Sequence, residues 1–166
     1  MRYWRQEGRR LWMDCEIGSF HWDMPKKWKL SETHPDLLKL AEWVLLDPWT
    51  PGIIDKHEWS RKPGKKPGLS FSAGIESTAA MLIMPKNTVV AYHERDFESM
   101  LKHDNAKRFI KRLRWRHFRK VTIVKSDHEK IRTHFGKANG FSTDLACAVH
   151  LILMADLLDL DSISVG

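Results

Sequence analysis

The chain has 166 residues, 42% apolar and 30% charged, with a formal net charge of +7 at pH 7. That length supports one domain with a real core, and the balance excludes a disordered or fibrous chain. No apolar run approaches the roughly 20 residues needed to cross a bilayer, and the opening MRYWRQEGRRLW lacks the apolar middle of a secretory signal, so the sequence reads as cytoplasmic with no membrane partner.

Residues 1 to about 30 read as short strands, with RYWRQ and RLWMDCEIG as hairpin arms around Glu7-Gly8. LSETHPDLLKLAEWVLLDP follows as a helix. Thr33 is its expected cap, Pro35 suits its first turn, and Leu37, Leu38, Ala41, Val44 and Leu45 share one face. Asp47-Pro48 ends it. Residues 48–67, rich in Pro, Gly and Lys, read as a linking loop. The expected organisation is an N-terminal hairpin-and-helix α/β cap at 1–60 and a second unit at 68–166.

From Leu69 strands and helices alternate. GLSFS is a strand, Glu76–Met84 a helix and NTVVAYH a second strand. Asp104 or Asn105 caps a helix that carries Ala106, Phe109, Ile110 and Leu113 at helical spacing. KVTIVKS is a third strand, Asp127–Phe135 a short helix ended by Gly136, Thr143–Leu158 a long buried helix, and DSISV a fourth strand. The order predicts an α/β fold, a parallel sheet with helices on both faces. Ligands of such sheets bind beyond the carboxyl ends of the strands.

The segment just after the first of these strands, Ser72-Ala73-Gly74-Ile75-Glu76-Ser77-Thr78, has the chemistry of a phosphate site. Small residues let backbone N–H groups at a helix N-terminus approach an anion, and the helix dipole favours negative charge there. It is neither the Walker loop, which needs a lysine after the glycine, nor GxGxxG.

These residues resemble the SGGxDS motif of the PP-loop ATP pyrophosphatase superfamily, and the order of elements over about the last hundred residues is similar to that family's. The resemblance implies ATP and Mg2+ as cofactors, with pyrophosphate held by the amides of Ala73, Gly74 and Ile75. It implies hydroxyl donors from Ser72, Ser77 and Thr78, and Glu76 assisting the magnesium. Such enzymes adenylate a carbonyl or carboxylate oxygen and release pyrophosphate, in amidation, thiolation or deazaguanine chemistry on small-molecule, tRNA or DNA substrates. The chain departs from the motif twice. Ala73 stands for a glycine and Glu76 for an aspartate. A Cβ held at positive φ costs roughly 1–2 kcal/mol.

By the same resemblance His93 and Glu94 border the adenine and ribose, although a surface histidine at a strand end is an equal reading. Lys137 and Asp144, in GKANGFSTD, lie at the site end of the third unit and are candidates for substrate or phosphate, Asp144 also suiting a first helical turn. Gly166 coincides with a glycine that follows the family's fourth strand. A sheet ending there reads as a fragment or a reduced version of a longer domain. His150 and Cys147, within ACAVHLILM, read as core residues, and neither cysteine has a disulfide or zinc partner nearby. Seven Lys or Arg residues between Lys107 and Arg119 read as a solvated helix face or as contacts to RNA or DNA. The positive charge fits an anionic partner or plain solubility. A catalytically reduced fold acting as a basic nucleic-acid-binding module is the alternative function.

Overall fold

Gly8, at φ 60°, reverses the chain between β1 (Tyr3–Glu7) and β2 (Arg10–Cys15), the last cross-strand pair being Glu7↔Arg10. β3 (Gly18–Asp23) completes an antiparallel meander. The computed structural model describes residues 3–50, 52, 57–98, 103–117 and 119–166.

The remaining strands are β4 (Lys66–Phe71), β5 (Val89–Arg95), β6 (Val121–Ser126) and β7 (Leu160–Val165). All seven form one sheet in the order β1-β2-β3-β6-β5-β4-β7. The β6-β5-β4-β7 part is parallel, while β3 joins β6 antiparallel through Trp22↔Ser126 and Asp23↔Lys125. The fold is α/β as expected, but the sheet is mixed rather than parallel. The residues expected to form a separate cap continue the sheet and share a core with the rest. Leu11, Met13 and Trp22 pack in one cluster with Leu45 and Leu151.

Helices cover both faces. α2 (Ile75–Ile83) and α3 (His103–Arg116) lie over one side, where Leu69, Phe71, Val90 and Tyr92 meet Met81, Ile110 and Leu113. α1 (Pro35–Leu46) and α4 (Val149–Leu153) occupy the other, larger side. The cap of α1 is His34, whose ring accepts the Asp36 N–H at 3.2 Å. Thr33, the expected cap, instead gives its hydroxyl to the Lys29 carbonyl, closing the preceding 3-10 turn. Pro35 takes the first helical position as expected.

Part of the expected 48–67 loop, residues 51 and 53–56, falls outside the described residues. The following stretch is tied down. Asp36 accepts the backbone N–H groups of Ser60 and Arg61 at 2.7 Å each and faces His57 Nε2 at 2.9 Å. Burial pushes the Asp36 pKa up, but these donors outweigh it and hold the carboxylate below the usual range. Arg61 in turn reaches Asp156 at 2.8 Å and the Leu160 carbonyl at 3.2 Å.

The long helix expected over Thr143–Leu158 is broken. It comprises a 3-10 turn at Ala146–Ala148, then α4, then α5 (Ala155–Leu158). Side-chain donors take carbonyls near the breaks. The Ser70 hydroxyl bonds the Cys147 carbonyl at 2.8 Å and the Trp28 indole bonds the Leu153 carbonyl at 2.7 Å. The Asp127–Phe135 helix is a 3-10 helix over His128–Phe135, and Gly136 ends it in the left-handed region at φ 68° as expected. Most N-terminal tryptophans serve packing: Trp22 and Trp28 are buried in the core and Trp49 stacks on Phe135 at 4.3 Å.

Candidate functional site at the strand carboxyl ends

The chain runs outward from β4 to β5 to β6, then returns to place β7 on the other side of β4. This reversal in strand succession opens a crevice at the carboxyl ends of β4 and β7. The segment Ser72–Thr78 sits there, as the turn after β4 and the first turn of α2.

Ala73 adopts φ 63°, the left-handed conformation that a glycine takes without penalty. Gly74 is extended (φ −80°, ψ 177°) and caps α2 without side-chain help. The loop is braced from within. The Ser72 N–H donates to the Ser77 hydroxyl (3.2 Å), the Gly74 N–H to the Ser72 hydroxyl (3.2 Å), and the two hydroxyls are 2.9 Å apart. Ser77 and Thr78 also give their hydroxyls to the Gly74 carbonyl, at 3.3 and 2.7 Å. Ser77 is fully buried. It therefore shapes the loop rather than presenting a group to solvent. The first-turn N–H groups of a helix lack intrahelical partners, and the dipole adds partial positive charge, so the arrangement favours an anion.

Glu76 and Ile75 are exposed. The Glu76 carboxylate lies beside the loop, its Oε2 3.6 Å from the position of a Cβ built on Gly74. Among the described residues no group of three or more His, Cys, Asp or Glu is arranged to hold a metal ion. Gly166 approaches the same place, and a Cβ there would stand 3.0 Å from Ser77 Cα.

Next to the loop lies a cavity of about 340 Å³. Ser70, Phe71, Ser72 and Gly166 line its near side, and Tyr92, His93, Arg95, His103, Glu129, Phe141 and Cys147 the rest. Here polar groups are buried and incompletely paired. Glu129 has no side-chain exposure. Its Oε1 accepts Arg95 Nε at 2.7 Å, and its Oε2 has no partner. His93 is 7% exposed at the side chain, lies 3.7 Å from Glu129 Oε1 through Nδ1, and has an unpartnered Nε2. It is not a surface histidine. Its ring stands 4.7 Å from that of His128 and 6.1 Å from that of His150. Burial, then the neighbouring His128 and His150, pull the His93 pKa well below 6.5. Burial likewise lowers His128 to about 3 and His150 to about 4. All three are neutral at pH 7.

His128 is satisfied through the Ser126 hydroxyl (2.7 Å) and the Ala146 carbonyl (3.2 Å). His150 is buried as expected, but neither ring nitrogen meets a hydrogen-bond partner. His103 accepts the Arg95 N–H at Nε2 (3.3 Å), which leaves Nδ1–H for the Tyr92 oxygen at 2.5 Å. Burial raises the Tyr92 phenol to about 12. Cys147 is half-buried and lines the cavity rather than sitting in the core. Burial pushes its thiol pKa up.

Of the residues singled out in the sequence, the crevice gathers Ser72–Thr78, His93 and Gly166. Glu94 points elsewhere. It pairs with Lys107 at 2.5 Å and lines a separate hollow with Arg9, Asp23 and Lys125. Lys137 and Asp144 are exposed and are not among the cavity's lining residues. Asp144 lies in a turn before the 3-10 segment rather than in a first helical turn, and its carbonyl accepts the Cys147 thiol at 3.3 Å. Sequence reasoning missed Arg95, His103 and Glu129. A readable signal existed for Arg95 and Glu129, because both sit at or just past the carboxyl end of a strand, where sites of such sheets form.

No family model, curated protein or solved structure matches this chain. No helix among the described residues is long and apolar enough to cross a membrane.

Proposed function

We propose that the chain is a PP-loop-type ATP-binding domain. In this reading the ATP phosphates sit on the Ser72–Thr78 loop and the adenosine enters the adjoining cavity. A complete enzyme of this kind would adenylate a carbonyl or carboxylate oxygen and release pyrophosphate. The observation that carries the reading is the pairing of an anion-favouring helix N-terminus with a cavity of nucleoside size at the reversal of strand succession. The left-handed φ of Ala73 adds to it, because this is the conformation for which the motif's glycine is suited.

The chain's own residues divide the work. The amides of Ala73 and Ile75 clamp the phosphates electrostatically, the main catalytic device of phosphate-transfer sites, whereas the Gly74 N–H expected to join them is taken by the Ser72 hydroxyl. Ser72 and Ser77 fix the loop's shape before ligand arrives. Phe71, Tyr92 and Phe141 line the space a base would enter, and Glu129 Oε2 offers an acceptor. Glu76, whose carboxylate lies beside the loop, is the residue that would hold a magnesium ion, and the ion would neutralise phosphate charge.

Photo-crosslinking with 8-azido-ATP, followed by peptide mapping, tests the reading. Label on the segments carrying His93 or Phe141–Cys147, competed by ATP, is the expected result. Label scattered over exposed segments, or unaffected by ATP, would overturn it.

A further inference from the structure

We propose that the outward face of α3 is a docking surface for single-stranded nucleic acid. Arg108, Lys111, Arg112 and Trp115 recur at the i, i+3, i+4, i+7 spacing that places side chains on one helix face, and all four are exposed. Trp115 leaves 86% of its surface in water. The helix does not need that indole for packing, since Ile110 and Leu113 already bury its opposite face against the sheet.

Two other basic residues nearby, Lys107 and Arg119, show what a structural role looks like in the same segment, whereas Arg114 and Arg116 are exposed. Lys107 pairs with Glu94, and Arg119 bonds the carbonyls of Met81, Met84, Pro85 and Lys86 at the end of α2. Among the described residues, no ion pair engages Arg108, Lys111 or Arg112. A row of unpaired cations ending in an exposed indole complements a phosphate backbone with an accessible base. The cations meet phosphates, and the ring stacks on the base. A duplex keeps its bases stacked and offers the indole nothing, so the preferred ligand is single-stranded. Helices that lie on membranes also carry cations and tryptophan, but they insert an apolar face. The apolar face of α3 is spent on the sheet. The surface is separate from the Ser72–Thr78 loop, and the proposal stands whether or not that loop binds ATP.

Fluorescence anisotropy with labelled oligouridylate, oligothymidylate and duplex DNA tests the surface, with phosphatidylcholine–phosphatidylserine vesicles as the competing anion. Both single strands should bind more tightly than the duplex, and the tighter of the two identifies RNA or DNA as the source. Trp115→Ala should weaken binding about tenfold, the usual worth of one stacked base. Lys111→Ala with Arg112→Ala should flatten the plot of log K against log salt by roughly 1.4, or about 0.7 per phosphate contact. These side chains are exposed, so melting temperatures should stay close to the parent's. Equal binding of duplex and single strand, indifference to Trp115→Ala, or capture by vesicles without oligonucleotide binding would each overturn the proposal.

Discussion

The Ser72–Thr78 loop and the cavity beside it treat polar groups in opposite ways. In the loop nearly every hydroxyl is engaged, and the buried Ser77 side chain makes three bonds to Ser72 and Gly74. In the cavity Glu129 Oε2 and His93 Nε2 lack partners although they are buried, and behind His93 both nitrogens of His150 lack them too. A buried unsatisfied polar atom costs on the order of 1–3 kcal/mol. The loop is thus a braced scaffold that engages even the Ser72 and Gly74 amides and leaves the other amides of the helix N-terminus as its donors, whereas the cavity keeps side-chain chemistry in reserve. Under the proposed ATP-binding reading the two would have separate tasks, anion clamping and recognition of a polar ring.

The largest expected effect separating the two regions is acid sensitivity. His128 and His150 titrate near 3 and 4 in the folded chain against 6.5 unfolded. Below pH 6.5 the unfolded chain takes up protons that the buried rings refuse. Stability contributed by keeping these rings neutral is therefore complete above pH 6.5 and is lost as pH falls toward 4 and then 3. For His150 alone the loss is on the order of 3 kcal/mol. His150→Leu should remove that part of the acid slope in urea titrations at several pH values while leaving stability at neutral pH intact. An unchanged slope would show that His150 is not protected from protonation. His21 opposes the trend, because the hydrogen bonds its ring donates to Asp127 and Asp96 outweigh its burial and raise its pKa. Its contribution is present below pH 6.5 and fades as pH rises through the folded value.

Next in size is the buried carboxylate. Glu129→Ala leaves Arg95 without its partner and should cost about 2–3 kcal/mol in chemical denaturation. Glu129→Gln keeps the shape and should cost less. It should also weaken ATP binding while leaving inorganic pyrophosphate binding unchanged, since pyrophosphate needs only the loop. Equal weakening of both ligands would merge the two regions into one site. Ser77→Ala should do the converse, reducing ATP and pyrophosphate affinity alike by about tenfold, because it removes the internal hydrogen bonds that hold the loop's shape.

The smallest effect concerns Ala73. Replacing it with glycine removes roughly 1–2 kcal/mol of left-handed strain and adds about 0.5–1 kcal/mol of unfolded-state entropy. Ala73→Gly should thus raise stability by about 0.5–1 kcal/mol without weakening ATP binding. A loss of stability would mean that the φ of 63° is not strained in its setting.

The loop was legible because its chemistry is local, seven consecutive residues that make one turn after a strand and the first turn of the next helix. The cavity was not, because His93, Glu129, Phe141 and Cys147 come from separate stretches and meet only after the sheet forms. Ordinary residue types such as the glutamate in SDHEKIR acquire meaning from burial, which a single sequence does not display. The alternation of strands and helices after Leu69 was equally readable. The joining of the N-terminal meander to β6 was not, since it rests on two residue pairs with no local signature. The broken helix before β7 has the same cause. Its apolar spacing is helical, and only the tertiary donors Ser70 and Trp28 reveal why carbonyls near the breaks are diverted.

The most direct test of the central claim is titration calorimetry of Mg2+-ATP into the parent chain and into Gly74→Val. A branched side chain at Gly74 would start 3.1 Å from the Ser72 hydroxyl and crowd the amides at the helix N-terminus, on a loop exposed enough to leave the core undisturbed. Saturable one-to-one binding in the parent, absent in a variant of unchanged melting temperature, is the result predicted. Equal affinity in both chains, or no binding by the folded parent, would contradict a nucleotide site on this loop.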